Sequence, residues 1–106
     1  MNTGASKKIY SEKYLERTFT EKLNKSGKCE VIKLLSTFVK GLPDRVVLCT
    51  GGYVGFAEIK TTGKKPTKIQ LYIHSKLEKL GFKVFVVYDV ETRDAAIEYF
   101  LSKVKL

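Results

Sequence analysis

Residues 43–60 have the sequence PDRVVLCTGGYVGFAEIK, and this stretch decides the fold. An apolar run follows Arg45, a Gly51-Gly52 pair interrupts it, and a second apolar and aromatic run follows. Two apolar runs on either side of paired glycines are typical of a β-hairpin. We therefore predict two antiparallel strands, from Arg45 to Thr50 and from Tyr53 to Thr61.

The residues before the hairpin predict a helix and a further strand. Apolar residues recur at helical spacing between about Ser11 and Ser26, with Ser11 in the position of an N-cap and Gly27 as a stop. The next apolar stretch, Cys29 to Leu35, is predicted to be a strand. These two elements precede the hairpin in the order α-β.

The residues after the hairpin predict a helix, a strand and a last helix. Thr67 is expected to cap a helix that runs to about Leu80. Phe82 to Tyr88 is almost wholly apolar, which is typical of a strand buried on both faces. Glu91 to Lys103 again has helical spacing. The buried stripe of the first of these helices is expected to contain Ile69, Ile73, Leu77 and Leu80.

The predicted order α-β-β-β-α-β-α indicates an α/β fold, with a central mixed sheet of about four strands flanked by helices. The hairpin strands would pair antiparallel, and the helical crossover would make the last strand parallel to its neighbour. A chain of 106 residues suits one domain, 1–106, of which the polar residues 1–8 are expected to be flexible.

The composition excludes several classes of protein. Hydrophobic residues form 43% of the chain and charged residues 29%, as in an ordinary globular domain. No apolar run approaches the roughly 20 residues of a membrane span, and Met1 to Lys8 lacks the apolar stretch of a secretory signal. We therefore expect a cytoplasmic protein with no membrane partner. Cys29 and Cys49 are expected to be reduced packing residues, and a single His argues against a zinc site.

The charge of the chain points to a polyanionic partner. Twenty Lys and Arg face eleven Asp and Glu, which gives a net charge of +9. Such an excess fits binding to a phosphate backbone, and a basic surface that is merely soluble or faces a membrane is the alternative. His74 is predicted to be a surface or phosphate-contacting residue, or else a catalytic acid or base. The other predicted DNA contacts are lysines at loop ends: Lys40, Lys64, Lys65 and Lys68.

Two acidic residues stand out because they lie on apolar strands. Asp44 opens the first hairpin strand, and Glu58 lies inside the return strand, two residues before Lys60. Residues two apart on a strand share a face. A three-residue turn from Gly51 to Tyr53 would place Asp44 opposite Lys60 on that face, whereas a two-residue turn would place it on the other face.

Two carboxylates and an ammonium on one face predict a metal site. The carboxylates suit a hard cation, Mg²⁺ or Mn²⁺, with the backbone carbonyl of Ile59 as a further oxygen ligand. Such a cation would polarise a phosphodiester, while Lys60 would orient the attacking water or stabilise the developing charge. An ordinary cross-strand salt bridge, worth about 0.2–1 kcal/mol, is the alternative.

Residues outside the hairpin are candidates for the same site. Glu16 on the first helix is within reach of the sheet edge, and Glu12, one turn earlier, could take its place. Arg45 is expected to point away from the site and to pair with one of these two acids. Gln70 lies in the first turn of the second helix, where Thr67-x-x-Gln70 is also a capping-box pattern that needs no catalysis.

Taken together, these motifs resemble the virus-type replication-repair nuclease (VRR-NUC) domain of the PD-(D/E)xK nuclease superfamily. The resemblance runs from about Ser11 to Glu98, and it rests on the order and spacing of the motifs. The matching pieces are the helix with Glu16, GLPDR at 41–45, GG at 51–52, FAEIK at 56–60, the Gly63-Lys64 loop, Gln70 and LGFKV at 80–84.

The resemblance implies a restriction-endonuclease-like core and a Mg²⁺- or Mn²⁺-dependent hydrolase of DNA phosphodiesters. Asp44 and Glu58 would be the metal ligands, and Lys60 the catalytic lysine. Glu16 would be the helix glutamate that helps to hold the metal or its water. Gln70 would be the glutamine beside the site.

The resemblance also implies a substrate and an assembly. Stand-alone domains of this size resemble phage or bacterial proteins that cut branched DNA such as four-way (Holliday) junctions, commonly as homodimers. The expected location is the cytoplasm of a bacterial or phage-infected cell. The Phe38-Val39 region and the apolar last helix are the candidate dimer surfaces.

Three alternatives stay open at this point. A nicking or flap nuclease is the alternative within the enzyme class, and a non-catalytic DNA-binding module on the same fold is the alternative outside it. A basic protein-interaction domain is a third class, but it gives no reason for polar residues on apolar strands to share a face.

Overall fold

The computed structural model describes residues 8–35 and 39–106. Most of the predicted flexible N-terminus (residues 1–7) lies outside this range, as does Phe38 of a predicted dimer surface. Within the range, the element order agrees with the prediction. The elements are α1 (Glu12–Lys25), β1 (Cys29–Lys33), β2 (Arg45–Cys49), β3 (Tyr53–Ile59), α2 (Lys68–Lys79), β4 (Lys83–Val87) and α3 (Val90–Ser102).

The four strands form one mixed sheet in the order β1-β2-β3-β4. β1 pairs antiparallel with β2, and β2 pairs antiparallel with β3, as expected for strands joined by short connections. β3 and β4 are parallel because α2 crosses between them. Both predicted pairing directions are therefore confirmed.

One face of the sheet carries the core, which α1 and α3 cover. The two helices contribute their apolar stripes, and the strands contribute alternate residues, as the pleat requires. On α3, the buried side chains Ala96, Ile97 and Phe100 belong to this core. The apolar face of the last helix is thus occupied within the protomer. The largest fully buried side chains of the core are Leu15, Phe19, Leu23, Val47, Ile59, Val87 and Phe100.

The opposite face of the sheet is more open, and α2 covers only part of it. The predicted buried stripe of α2 is wrong at both ends, because Ile69 is 47% exposed and Leu80 is 73% exposed. The buried residue of α2 is instead His74, with Ile73 and Leu77 half-buried. The helix is therefore rotated from the predicted orientation toward the side that carries Gln70 and His74, while Ile73 and Leu77 remain half-buried.

The hairpin register also differs from the prediction. Cys49 pairs with Tyr53, so the turn consists of the three residues 50–52 instead of 51–53. The last regular pair is Arg45 with Ala57, which places Asp44 level with Glu58 and not with Lys60. A shift of two residues keeps every side chain on its predicted face, because the side-chain period of a strand is two.

The remaining predictions concern burial. Cys29 and Cys49 are buried and unbonded, as expected, with their sulfurs 3.5 Å apart. β4 is an edge strand, so Phe85 and Val86 are half-buried, and the prediction that it is buried on both faces is wrong. Among the described helices, none has the length and apolar character needed to cross a membrane.

Gly55 allows α3 to approach β3, and this close packing is testable. A Cβ added to Gly55 would lie 2.4 Å from Cε1 of Phe100, a fully buried ring. We expect Gly55→Ala to lower the free energy of unfolding by about 1–3 kcal/mol, measured by urea denaturation, because overpacking forces the core apart. In a Phe100→Leu background the same substitution should cost clearly less. An equal cost in both backgrounds would show that the ring is not the obstacle.

Candidate active site

Asp44 and Glu58 lie side by side where the hairpin ends. Both Asp44 carboxylate oxygens accept from the backbone N–H of Ile59, at 3.2 and 3.3 Å. The side chain of Asp44 is 27% exposed, whereas that of Glu58 is almost fully buried. The structure therefore brings the two predicted metal ligands together on the open face of the sheet.

Burial and mutual repulsion govern the protonation of Asp44. Loss of water raises the pKa of this carboxyl, and the neighbouring Glu58 raises it further, to about 7. The Ile59 N–H and the Arg45 guanidinium act in the opposite direction, and Glu12 adds to the rise. Such a pair of carboxylates is strained when both are ionised, which is the condition that a bound cation relieves.

Two side chains of α2 hold the Glu58 carboxylate. The amide Nε2 of Gln70 donates to Oε2 at 3.2 Å. The imidazole Nε2 of His74 lies 3.4 Å from Oε1. Each oxygen of Glu58 therefore has one protein partner, and the two partners come from successive turns of one helix.

Gln70 also caps α2. It therefore belongs both to the capping box and to the group of residues around Glu58, the two positions that the sequence indicated for it. Its Oε1 accepts from the backbone N–H of Thr67 at 2.8 Å, and the Thr67 hydroxyl accepts from the backbone N–H of Gln70 at 3.3 Å. This is the predicted capping box. Because the amide has one acceptor end and one donor end, it completes the cap and reaches Glu58 simultaneously.

The surface position predicted for His74 is wrong. Its exposed fraction is 6%, and it faces Glu58. Sequence reasoning missed this contact, although the spacing of four residues from Gln70 was a usable signal, because residues four apart lie on one helix face.

Arg45 links α1 to the start of β2. Its Nη2 lies 2.5 Å from Oε2 of Glu16, and its Nη1 donates to the backbone carbonyl of Asp44 at 2.8 Å. The guanidinium is buried. The ion pair confirms the predicted pairing of Arg45 with a helix acid, and that acid is Glu16. Glu16 is thus engaged with Arg45, and its carboxylate reaches Asp44 only through that guanidinium.

Glu12 is the helix acid whose charge acts on Asp44. The first turn of α1 is held at the end of β3, because the backbone N–H of Glu12 donates to the Thr61 hydroxyl at 3.1 Å. One residue further on, the Thr62 hydroxyl accepts from the N–H of Tyr10 at 2.9 Å. These contacts place the first turn of α1 beside the Asp44–Glu58 pair.

The loop that precedes Asp44 packs on the start of α2. Gly41 has a φ of +85°, and a Cβ there would lie 2.6 Å from the carbonyl oxygen of Ile69. Lys40 and Lys68 are the sequence neighbours of these two residues. The predicted DNA-contacting lysines are all exposed: Lys40, Lys64, Lys65 and Lys68.

The remaining predicted site groups belong to the end of β3. The N–H of Ile59 faces Asp44, and a strand residue directs its N–H and C=O to the same neighbour, so the Ile59 carbonyl also faces that side. Lys60 is half-buried, and its backbone N–H donates to the carbonyl of Val87 at 2.8 Å. Within the described part of the chain, the Lys60 ammonium forms no ion pair.

The donor set fits a weakly caged hard cation. Across residues 8–35 and 39–106, no three His, Cys, Asp or Glu side chains form a ready-made cage. A Mg²⁺ ion retains several waters and needs only one or two carboxylates, unlike a structural zinc ion. Asp44 and Glu58 supply this minimum in a partly open position.

Comparisons with known proteins identify the family. No protein-family profile matches the sequence. The chain is 34% identical over 80 residues to "Putative nuclease p44" of Acyrthosiphon pisum secondary endosymbiont phage 1, across 76% of this chain and 85% of that protein. A solved structure described as a VRR_NUC domain aligns with a TM-score of 0.76 and 29% identity, across 86% of this chain and 99% of that chain. The chain belongs to the VRR-NUC family.

Membership in the VRR-NUC family confirms the resemblance that the motif order indicated. The α/β architecture, with four strands in a mixed sheet and three helices in the described chain, matches that fold. Within this VRR-NUC domain, the motif residues Asp44, Glu58 and Gln70 form one connected group.

The raised pKa of Asp44 predicts a pH-dependent stability. The native carboxyl binds its proton more tightly than an unfolded Asp, whose pKa is 3.8, so the native state is stabilised at low pH. As pH rises from about 4 to about 7, this stabilisation of about 2–4 kcal/mol is lost.

The variant Asp44→Asn isolates this effect because the amide keeps an acceptor for the Ile59 N–H but cannot ionise. In urea denaturation with EDTA, the stability of the variant relative to the wild type should increase between pH 5 and pH 8. The variant should be the more stable protein at pH 8. A difference between the two proteins that is the same at both pH values would contradict the prediction.

Proposed function

We propose that this VRR-NUC nuclease is a Mg²⁺- or Mn²⁺-dependent DNA endonuclease that hydrolyses phosphodiester bonds. The observation that carries the proposal is the pairing of Asp44 with Glu58. The Asp44 carboxylate, with a pKa raised to about 7, is partly exposed beside the buried Glu58 carboxylate, and hydrogen-bond donors orient both groups. This arrangement costs stability in the protein alone, and a catalytic cation would offset the cost.

The proposed roles follow from the contacts of each group. Asp44 and Glu58 would hold the cation, with the Ile59 carbonyl as a further ligand. When bound, the cation would polarise the scissile phosphodiester and lower the pKa of a water molecule. Lys60 would orient that water or stabilise the charge that develops on the phosphate oxygens.

The helix acids divide between two roles in this proposal. Glu12, whose charge acts on Asp44, would hold a water of the cation shell. Glu16, which the resemblance assigned to this role, would act through Arg45, since its carboxylate is paired with that guanidinium. Gln70 would fix the Glu58 carboxylate through its donated hydrogen bond.

The charge distribution supports DNA as the substrate. The net charge of +9 attracts a phosphate backbone. Lys40 and Lys68 are exposed and flank the place where the Gly41 loop packs on α2, so they would be the first lysines to contact a DNA strand that enters the site. Phosphate contacts from these residues would position the DNA without reading its sequence.

Branched DNA and a homodimer complete the proposal. A single small domain has one site, whereas two symmetric sites suit the two strands of a pseudo-symmetric four-way junction. Val39, Ile32 and Leu48 are exposed apolar residues on or beside the open face, and exposed apolar surface favours association. A nicking or flap nuclease is the second candidate, because the same site would also cut a single strand.

Cleavage assays test the proposed activity. Labelled four-way junction, flap and plain duplex would each be incubated with Mg²⁺, Mn²⁺ or EDTA. We expect metal-dependent cutting, with the junction preferred, and a loss of more than about 100-fold in Glu58→Gln, because even an outer-shell partner is worth 10–100-fold.

The matched control is Glu30→Gln, which changes an exposed glutamate on β1 of the same sheet. This variant should cut at the wild-type rate, and light scattering should give a dimer for both proteins. Binding to DNA with no cutting in any metal would instead favour the non-catalytic module. Equal rates for Glu58→Gln and Glu30→Gln would contradict the site assignment.

The two helix acids should respond differently to neutralisation. Glu16→Gln removes the closer carboxylate of the buried Arg45 and leaves only Asp44, at 3.8 Å. We therefore expect a loss of about 1–3 kcal/mol in stability, less than for a fully buried pair because Glu16 is 35% exposed. Glu12→Gln should change stability by less than about 0.5 kcal/mol but weaken Mn²⁺ binding by about 10-fold. Thermal denaturation and calorimetric Mn²⁺ titration measure both effects. The reverse pattern would restore Glu16 as the acid of the metal site.

A further inference from the structure

His74 is the buried residue of α2, a helix that lies wholly within the described chain. Several apolar side chains of the same helix are exposed, among them Ile69, Leu71 and Tyr72. A helix that exposes apolar residues while burying an imidazole is unusual, since apolar side chains are the ones that gain from burial. The buried position of His74 therefore calls for a polar partner, and Glu58 is that partner.

With this contact, two side chains of α2 contact the Glu58 carboxylate, one at each oxygen. Gln70 donates to Oε2 of Glu58, and His74 meets Oε1 at 3.4 Å. A glutamate side chain has three rotatable bonds, so one hydrogen bond leaves its carboxylate free to swing. Two partners from successive helical turns fix the carboxylate plane and leave each oxygen a second lone pair.

An imidazole suits this position better than an ammonium or a guanidinium. An ionised carboxylate can only accept, so the contact requires the proton on Nε2 of His74. A neutral imidazole donates that proton without adding a fixed positive charge, which would oppose a cation. The separation of 3.4 Å is long for a hydrogen bond, so the ring withdraws little charge from Glu58.

We propose that His74 is a positioning residue that orients Glu58 for metal binding, an inference that rests on the proposed function. Its burial behind Glu58 keeps it from the DNA, so it acts through the carboxylate. Outer partners of this kind orient ligands to a metal and are commonly worth 10–100-fold in metal affinity.

The test is calorimetric titration of Mn²⁺ into the full chain without DNA. His74→Phe keeps a ring of similar size but has no donor, and His74→Gln keeps a donor at a similar reach to Nε2. We expect His74→Phe to weaken Mn²⁺ binding by about 10–100-fold and His74→Gln to stay within about three-fold of the wild type. Ser75→Ala, an exposed neighbour on α2, is the matched control and should bind as the wild type does.

A second variant, with a side chain too short to reach Glu58, keeps the test valid if His74→Phe does not fold. His74→Asn is polar but one methylene shorter than Gln, so it should not reach Glu58 and should lose Mn²⁺ affinity. Thermal denaturation in EDTA separates folding from metal binding in every variant.

The outcomes separate this inference from the proposed function. Wild-type protein that binds no Mn²⁺ overturns both. Wild-type protein that binds Mn²⁺ while His74→Phe or His74→Asn binds it equally well overturns only the positioning role. Equal losses in His74→Gln and His74→Phe also overturn it, because a donor of matched reach should restore the contact.

Discussion

The repulsion between Asp44 and Glu58 is the constraint on which the rest of the site depends. Burial and the adjacent Glu58 disfavour ionisation of Asp44, and they raise the pKa of that carboxyl to about 7. Hydrogen-bond donors offset part of this cost. The Ile59 N–H donates to Asp44, and the Gln70 amide and the His74 ring contact Glu58. These donors lower the cost without cancelling the charge, so the pair keeps its attraction for a cation. A cation is also close, because Nη1 of Arg45 lies 3.8 Å from Oδ1 of Asp44, but that guanidinium is shared with Glu16.

The fold tolerates the unfavourable Asp44–Glu58 pair because one face of the sheet supplies the core and the other face carries the site. Val47 and Ala57 point into the core beneath α1 and α3, and this packing supplies the stability of the domain. Glu58, the neighbour of Ala57, points to the open face, as Asp44 does, and α2 covers that face only in part. The alternation of a strand places stabilising and reactive residues one position apart. A substitution on the open face can therefore change the chemistry while the core stays intact.

The hairpin and the pairing of its acids were predictable from the sequence, because both depend on short-range spacing. The predicted turn was misplaced by one residue, which moved the register by two, and the even shift left Asp44 on the correct face. The position of His74 was not predictable in the same way. A rotation of α2 by less than one residue turns Ile69 outward and brings Gln70 and His74 onto the sheet, while Ile73 and Leu77 stay half-buried. Apolar residues lie on several sides of this helix, so their periodicity could not fix that rotation. In the observed orientation His74 contacts Glu58, and that contact joins residues 16 positions apart.

The first turn of α2 is where the separate parts of the site meet. Gln70 closes the capping box with Thr67 through its carbonyl and holds Glu58 through its amide nitrogen. The loop before Asp44 reaches the same turn, where Gly41 fits under the Ile69 carbonyl. The positions of both carboxylates therefore depend on one helical turn, although the two acids belong to different arms of the hairpin. Fraying of that turn would release the Glu58 carboxylate and loosen the Asp44 loop together. The cap thus contributes to the geometry of the site as well as to the stability of the helix. The interactions that stabilise the first turn of α2 also keep the two acids in position.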